Sequence, residues 1–156
     1  MPHAAPARPR AVWMMRAVLD TNVVVSALIW GGIPFALLAA AADGRIDLIT
    51  SPWLLAELAE VLARPHLKER VQKIRGSVKK ACALYADVTV SVTPVTIPRT
   101  VPNDPDDDHV IAAAIAGRAD IIVSGDRHLL GLGVSQEIRI LRPAVVLASI
   151  NAAPAR

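Results

Sequence analysis

Cysteine is nearly missing from this chain: Cys82 stands alone among 156 residues. That excludes an intrachain disulfide, and neither paired-Cys nor Cys/His spacing of a zinc site occurs. A reducing, cytosolic setting is expected, with Cys82 a buried, small apolar residue. Aromatic residues make up only 3% against 53% hydrophobic, so the core must be built from Ala, Val, Leu and Ile, which suits helices packed on a sheet. An uninterrupted membrane span is also lacking. Thr21 to Ala42 carries no charge over 22 residues, a sufficient length, but Gly31, Gly32 and Pro34 break its middle and leave two pieces of ordinary globular helix length. No membrane association is expected. The opening residues lack the long apolar region of a signal peptide. Residues 1–14 read as a disordered arm or an upstream false start, with Met14 or Met15 the true beginning.

The length fits one domain, large enough to bury roughly two thirds of its unfolded surface. That domain is expected over residues 15–150, with 151–156 a tail. The net charge is only +3, but it is unevenly spread. Arg64, Lys68, Arg70, Lys73, Arg75, Lys79 and Lys80 face a single acid, Glu69, while acids crowd from Asp104 to Asp108. A basic face beside an acidic pocket is the pattern of a protein that grips a polyanion and holds a cation; a solvated helix surface is the plainer reading for each base alone.

Strand and helix signals alternate along the chain. Arg16 to Asp20 is a short apolar run ending at an acid, and Thr21 can cap a helix through Val23 to Trp30, followed by a second from Pro34 to Ala42. Asp47 to Thr50 reads as strand, and Ser51-Pro52 is a cap followed by a first-turn proline, opening a helix to about Arg64. The basic stretch continues as one or two helices to Ala86, with Gly76 an expected interruption. Val88 to Val92 is a weaker strand, and Pro94, Pro98 and Pro102 mark a loop. Asp104-Pro105 opens a helix to Gly117, Ile121 to Val123 is a buried strand, Leu129 to Leu132 a brief helix, Ile138 to Leu141 the last strand, and Pro143 to Ile150 a final helix. Such alternation predicts an α/β fold with a mostly parallel central sheet covered on both faces. Ligands of such sheets bind outside the carboxyl ends of the strands, where Asp20 and Asp126 fall.

Helical phase, at about 3.6 residues per turn, selects among the other acids. After Pro52 the apolar stripe is Leu54, Leu55, Leu58, Val61 and Leu62; Glu57 borders it and Glu60 points to solvent. After Asp104 the stripe centres on Ile111 and Ile115, with Asp104 and Asp108 along it, Asp106 pointing away and Asp107 intermediate. Carboxylates on core-facing stripes are costly unless a cation or donor meets them. Asp20, Glu57, Asp108 and Asp126, with Asp104 a candidate fifth member, are therefore the expected catalytic and metal-binding set. All-oxygen donors without His or Cys select Mg²⁺ or Mn²⁺, and with them phosphodiester chemistry. Plainer roles stand beside these. Asp104 can be a helix cap, Asp106 and Asp107 complements to the helix dipole, Asp20 a turn residue, and Asp126 a cap for the short helix after it. Asn22 and Ser124 are placed either to orient a water at the metal or to serve as ordinary turn residues. His109 reads as a surface residue, and His66 and His128 have no partner at ligand spacing. Arg75, Lys79 and Lys80 are the basic residues expected on the path of a nucleic acid.

Taken in order, Met15-Arg-Ala-Val-Leu-Asp-Thr-Asn22, the Ser51-Pro52 to Glu57 segment, Asp104-Pro-Asp-Asp-Asp-His-Val-Ile and Ile122-Val-Ser-Gly-Asp126 resemble the acidic motifs of the PIN domain (PilT N-terminus) nucleases. The resemblance covers about residues 15 to 150, and within the family it is nearest to toxins of the VapC type from toxin-antitoxin systems. It implies a three-layer α/β/α sandwich, Mg²⁺ or Mn²⁺ dependence, cleavage of single-stranded RNA, a homodimer and inhibition by a small antitoxin protein. By motif, Asp20, Glu57, Asp108 and Asp126 match the four acids, and Ser124 stands where the family often has Thr. Two other readings remain. One is an RNA-binding or regulatory module of the same fold without turnover. The other is a phosphatase of the haloacid dehalogenase type, which wants a second Asp where Asn22 sits.

Overall fold

The computed structural model describes residues 14–95, 105–135 and 137–152. Asp104, Pro98, Pro102 and the first thirteen residues lie outside the described residues. In chain order the elements are β1 (Arg16–Leu19), α1 (Thr21–Trp30), α2 (Gly32–Ala42), β2 (Asp47–Thr50), α3 (Pro52–Leu62), α4 (Pro65–Arg75), α5 (Val78–Asp87) and β3 (Thr89–Ser91). There follow α6 (Pro105–Ala116), β4 (Ile121–Val123), α7 (Arg127–Leu132), β5 (Val134–Ser135), β6 (Ile138–Leu141) and α8 (Pro143–Ala152).

The strands form one six-stranded sheet in the order β3-β2-β1-β4-β6-β5, parallel throughout except for β5, which runs antiparallel to β6 at one edge. Side chains alternate across it with the period of two that a strand imposes. Ala17 and Leu19 of β1, Leu48 of β2, and Ile121 and Val123 of β4 face one core, which α1 to α5 and α8 cover. Val18, Ile49, Ile122 and Ile140 face the other, beneath α6 and α7. Both faces are thus buried and the molecule is a three-layer α/β/α sandwich, as expected. Each fully buried Leu, Ile or Val contributes about 1.5–3 kcal/mol relative to exposure, and aliphatic residues supply nearly all of both cores.

Among the described residues no single helix is long and apolar enough to cross a membrane. The uncharged run bends by 97° between α1 and α2, and Val23, Val24, Leu28 and Leu37 are spent on the first core. Gly31, at φ 75°, makes that bend in a conformation that costs glycine little.

The end of the sheet where β1, β2 and β4 begin is tied by Arg16. Its Nε and Nη2 donate to the Gly117 carbonyl at 3.0 and 2.7 Å, its guanidinium lies 3.5 Å from the Asp47 carboxylate, and its backbone N–H donates to Asp120 Oδ2 at 2.9 Å. Above this end α6 comes close to β2. A Cβ on Gly117 would stand 2.5 Å from Ile49 Cγ2 and 3.2 Å from the Ala113 carbonyl oxygen, so the approach requires glycine.

Several local expectations need correction. Thr21 is the first residue of α1 rather than its cap, and no side chain caps that helix. The break at Pro65 and the helix after it stand as expected, the first-turn proline having no N–H to waste. The two-residue strand β5 is too short to leave an alternation pattern in the sequence. Ile115 is 43% exposed; the buried face of α6 centres on Ile111 and Ala114 instead. Val110 to Ala116 is apolar nearly all round, so hydrophobicity there carries little information about helical phase. Cys82 is only half-buried, at the edge of the first core; desolvation raises its thiol pKa.

Candidate active site

Strand register brings the first and last acids together. β1 pairs with β4 so that Val18 stands beside Ile122 and Leu19 beside Val123, and the next step places Asp20 beside Ser124. The Asp20 N–H still donates to the Val123 carbonyl at 2.9 Å, so Asp20 is held at the carboxyl edge before the chain turns into α1. Ser124 is fully buried. Its Oγ donates to Asp20 Oδ2 at 2.9 Å and accepts from the Asp126 N–H at 2.9 Å. One hydroxyl thereby positions both acids. Asp126 caps α7, accepting from the N–H groups of His128 at 2.7 Å and Leu129 at 3.2 Å through Oδ1.

Glu57 comes from the neighbouring strand-helix unit. Ser51 caps α3 by accepting from the Leu54 N–H at 3.2 Å, Pro52 fills the first turn, and Leu54, Leu58, Val61 and Leu62 anchor the helix to the cores. That leaves Glu57 half-buried at the mouth of the sheet, where Thr21 Oγ1 donates to Glu57 Oε1. Thr21 thus positions an acid, a role its reading as a cap missed.

These residues line one cavity of about 170 Å³, walled by Asp20, Thr21, Asn22, Glu57, Val61, Arg64, Asp107 and Asp126. Of the expected set, Asp20, Glu57 and Asp126 meet here, and Asn22 with them. The third wall is Asp107, which the sequence assigned to the helix dipole. Asp107 is 5% and Asp108 1% exposed; both lie on the buried face of α6, and Asp108 is not among the lining residues. Centring the face on Ala114 instead of Ile115 accounts for the turn of Asp107 toward the cavity. Arg64 was read only as part of the basic stretch. It lies beyond the end of α3, in extended backbone before α4, so helical phase does not place it.

Arg75 is engaged elsewhere: its Nε donates to the Leu28 carbonyl at 2.9 Å and its guanidinium lies 5.2 Å from the centre of the Phe35 ring, joining α4 to α1 and α2. Lys79 and Lys80 are exposed on α5, outside the acidic cavity. His109 is half-buried and stacked on Trp53 where a free surface residue was expected.

Every acidic donor lining this cavity is a carboxylate, and no His or Cys joins them. Among the described residues no three such side chains converge tightly enough to hold an ion alone. That donor set still fits a hard dication, because Mg²⁺ commonly takes one or two carboxylates and completes its shell with water and substrate phosphate.

Carboxylates gathered at the carboxyl ends of parallel strands in an α/β/α sandwich define a class of protein suited to phosphodiester cleavage. The chain belongs to the PIN domain family, whose model matches residues 16–128, and family membership makes it a nuclease. No curated protein matches it.

Proposed function

We propose that the protein is a Mg²⁺- or Mn²⁺-dependent endoribonuclease cutting single-stranded RNA, the VapC-type toxin of a toxin-antitoxin pair, held in check in the cytoplasm by a small antitoxin protein and acting as a homodimer. The observation that carries the catalytic part is the single cavity in which Asp20, Glu57, Asp107 and Asp126 face Arg64. The lone, unpaired cysteine accords with a reducing compartment. The toxin role rests on the motif resemblance.

Asp20, Glu57 and Asp126 are the residues to hold the ion, with Asp107 and Asp108 sharing the third acidic position; Asp104, a candidate fifth member by sequence, lies outside the described residues. A bound dication supplies Lewis-acid activation of the phosphodiester and of water. Ser124 fixes the Asp20 carboxylate, Thr21 fixes Glu57, and Asn22 offers an amide to orient water at the cavity wall. Arg64 supplies positive charge for the substrate phosphate, as a planar donor set does well. The test is cleavage of single-stranded RNA by the purified chain. Activity is expected with Mg²⁺ or Mn²⁺, is stopped by EDTA, and falls to background in Asp20→Asn. Undiminished cutting by Asp20→Asn would place the chemistry elsewhere.

A further inference from the structure

In a chain so poor in aromatic residues, Trp53 has an uncommon setting. It stands in the first turn of α3, four residues before Glu57, and is 37% exposed. The His109 ring from α6 lies flat against it, with centroids 3.7 Å apart and planes within 1°. Trp53 also lines a cavity of about 250 Å³ with Ala56, Glu57 and Glu60. Glu57 is common to this cavity and the acidic one, so the two adjoin. Beyond the acidic cavity, a third of about 290 Å³ shares Asn22 and Asp126 with it and is closed by Val23, Pro34 and Pro143. Shared residues thus link the Trp53 cavity and this third one through the acidic cavity, so a single strand seated at the acids has neighbouring hollows on both sides.

The chemistry of the Trp53 cavity excludes a phosphate and admits a base. The Glu60 carboxylate, which takes no part in holding the ion, repels an anion, whereas an indole face takes the π-face of any nucleobase. Glu60 is exposed and only accepts hydrogen bonds when ionised, so it complements the exocyclic amine of cytosine or adenine and is unsuited to the O4 of uracil. Arg64, 3.8 Å from Glu60, belongs to the acidic cavity and stands between the two, on the side where the backbone phosphate would pass.

Resting on the nuclease reading above, we propose that Trp53, backed by His109, is the platform on which the nucleobase next to the scissile phosphate stacks, with Glu60 favouring bases that carry an exocyclic amine. Trp53 is then a specificity residue rather than a catalytic one. The test uses the full chain and short oligo(C) and oligo(U) RNA, with binding measured in the cleavage-silent Asp20→Asn background and cleavage in the otherwise wild-type chain. Oligo(C) is expected to quench tryptophan fluorescence. Trp53→Ala should weaken its binding about tenfold and raise KM more than it lowers kcat, Trp53→Phe should restore most of the affinity, and Glu60→Gln should narrow the preference for oligo(C) over oligo(U). A Trp53→Ala chain that melts lower but binds and cuts with unchanged affinity and KM overturns the platform and leaves the nuclease standing. A chain that cuts no RNA yet loses oligo(C) binding on Trp53→Ala supports the stacking and overturns the nuclease reading instead.

Discussion

Ser124 holds two bonds at once, and both end on acids of the cavity. Replacing it with Ala removes a donor from the Asp20 carboxylate and an acceptor from the Asp126 N–H, while the Asp126 carboxylate keeps its bonds to the His128 and Leu129 N–H groups. Loss of such an orienting partner typically costs about 10- to 100-fold in activity or metal affinity. Ser124→Ala is therefore expected to lose that much in cleavage rate or Mn²⁺ affinity in a metal titration, and Ser124→Thr to recover most of it. Tyr85 offers a test at the same scale but away from the site. It is the only tyrosine, is buried, and its ionisation is pushed well above the ordinary tyrosine range, chiefly by desolvation, with a hydrogen bond to Thr50 acting the other way. The unfolded chain loses this proton first, so the contribution is intact below about pH 10 and stability then falls by about 1.4 kcal/mol per pH unit as pH rises. Urea midpoints at about pH 9 and pH 11 should fall more steeply for wild type than for Tyr85→Phe. Asp20 and Asp126 were legible because each follows a short apolar run, and Glu57 because the stripe beside it is well marked. Thr21 and Trp53 were not, since their contacts come from elements distant in sequence, and Arg64 was not because it lies past the end of α3, where helical phase stops.

At the scale of elements, the strands β1, β2, β4 and β6 and the starts of α3 and α6 could be read from apolar runs, caps and first-turn prolines. The phase of α6 could not. Alanine at three successive positions, flanked by Val110, Ile111 and Ile115, gives a helix whose faces differ little in hydrophobicity, and what orients it is the close approach at Gly117. A methyl group there meets Ile49 and the Ala113 carbonyl, with both neighbours fixed in buried structure. Gly117→Ala is expected to cost about 1–3 kcal/mol, as overpacking of a core does, read as a lowered denaturant midpoint. The same shift should displace Asp107 and Asp108 and reduce cleavage. An unchanged midpoint would show that the contact between α6 and β2 yields freely.

For the whole molecule the relevant quantity is where positive charge meets a long anion. On the proposed function the acidic cavity takes the scissile phosphate, and affinity for a strand depends on the phosphates that lie outside it. Lys79 and Lys80 are exposed and uncommitted to the cavity, whereas Arg75 is occupied in joining helices. Replacing Lys79 and Lys80 with Ala should lower RNA affinity and flatten the dependence of log K on log salt by about 0.7 for each residue that contacts a phosphate of a single strand. An unchanged slope would take α5 off the substrate path.

The Arg16 linkage sits where the strands begin, and the acids gather where they end. Durability and chemistry therefore depend on largely separate residues, with Gly117 at the end of α6 the link between them. On the proposed reading, substitutions around Trp53, Glu60 and Arg64 alter which strand is cut without loosening the clamp on Gly117, Asp47 and Asp120. Such a division makes the cutting end a surface that selection can rework repeatedly while the opposite end keeps the protein folded.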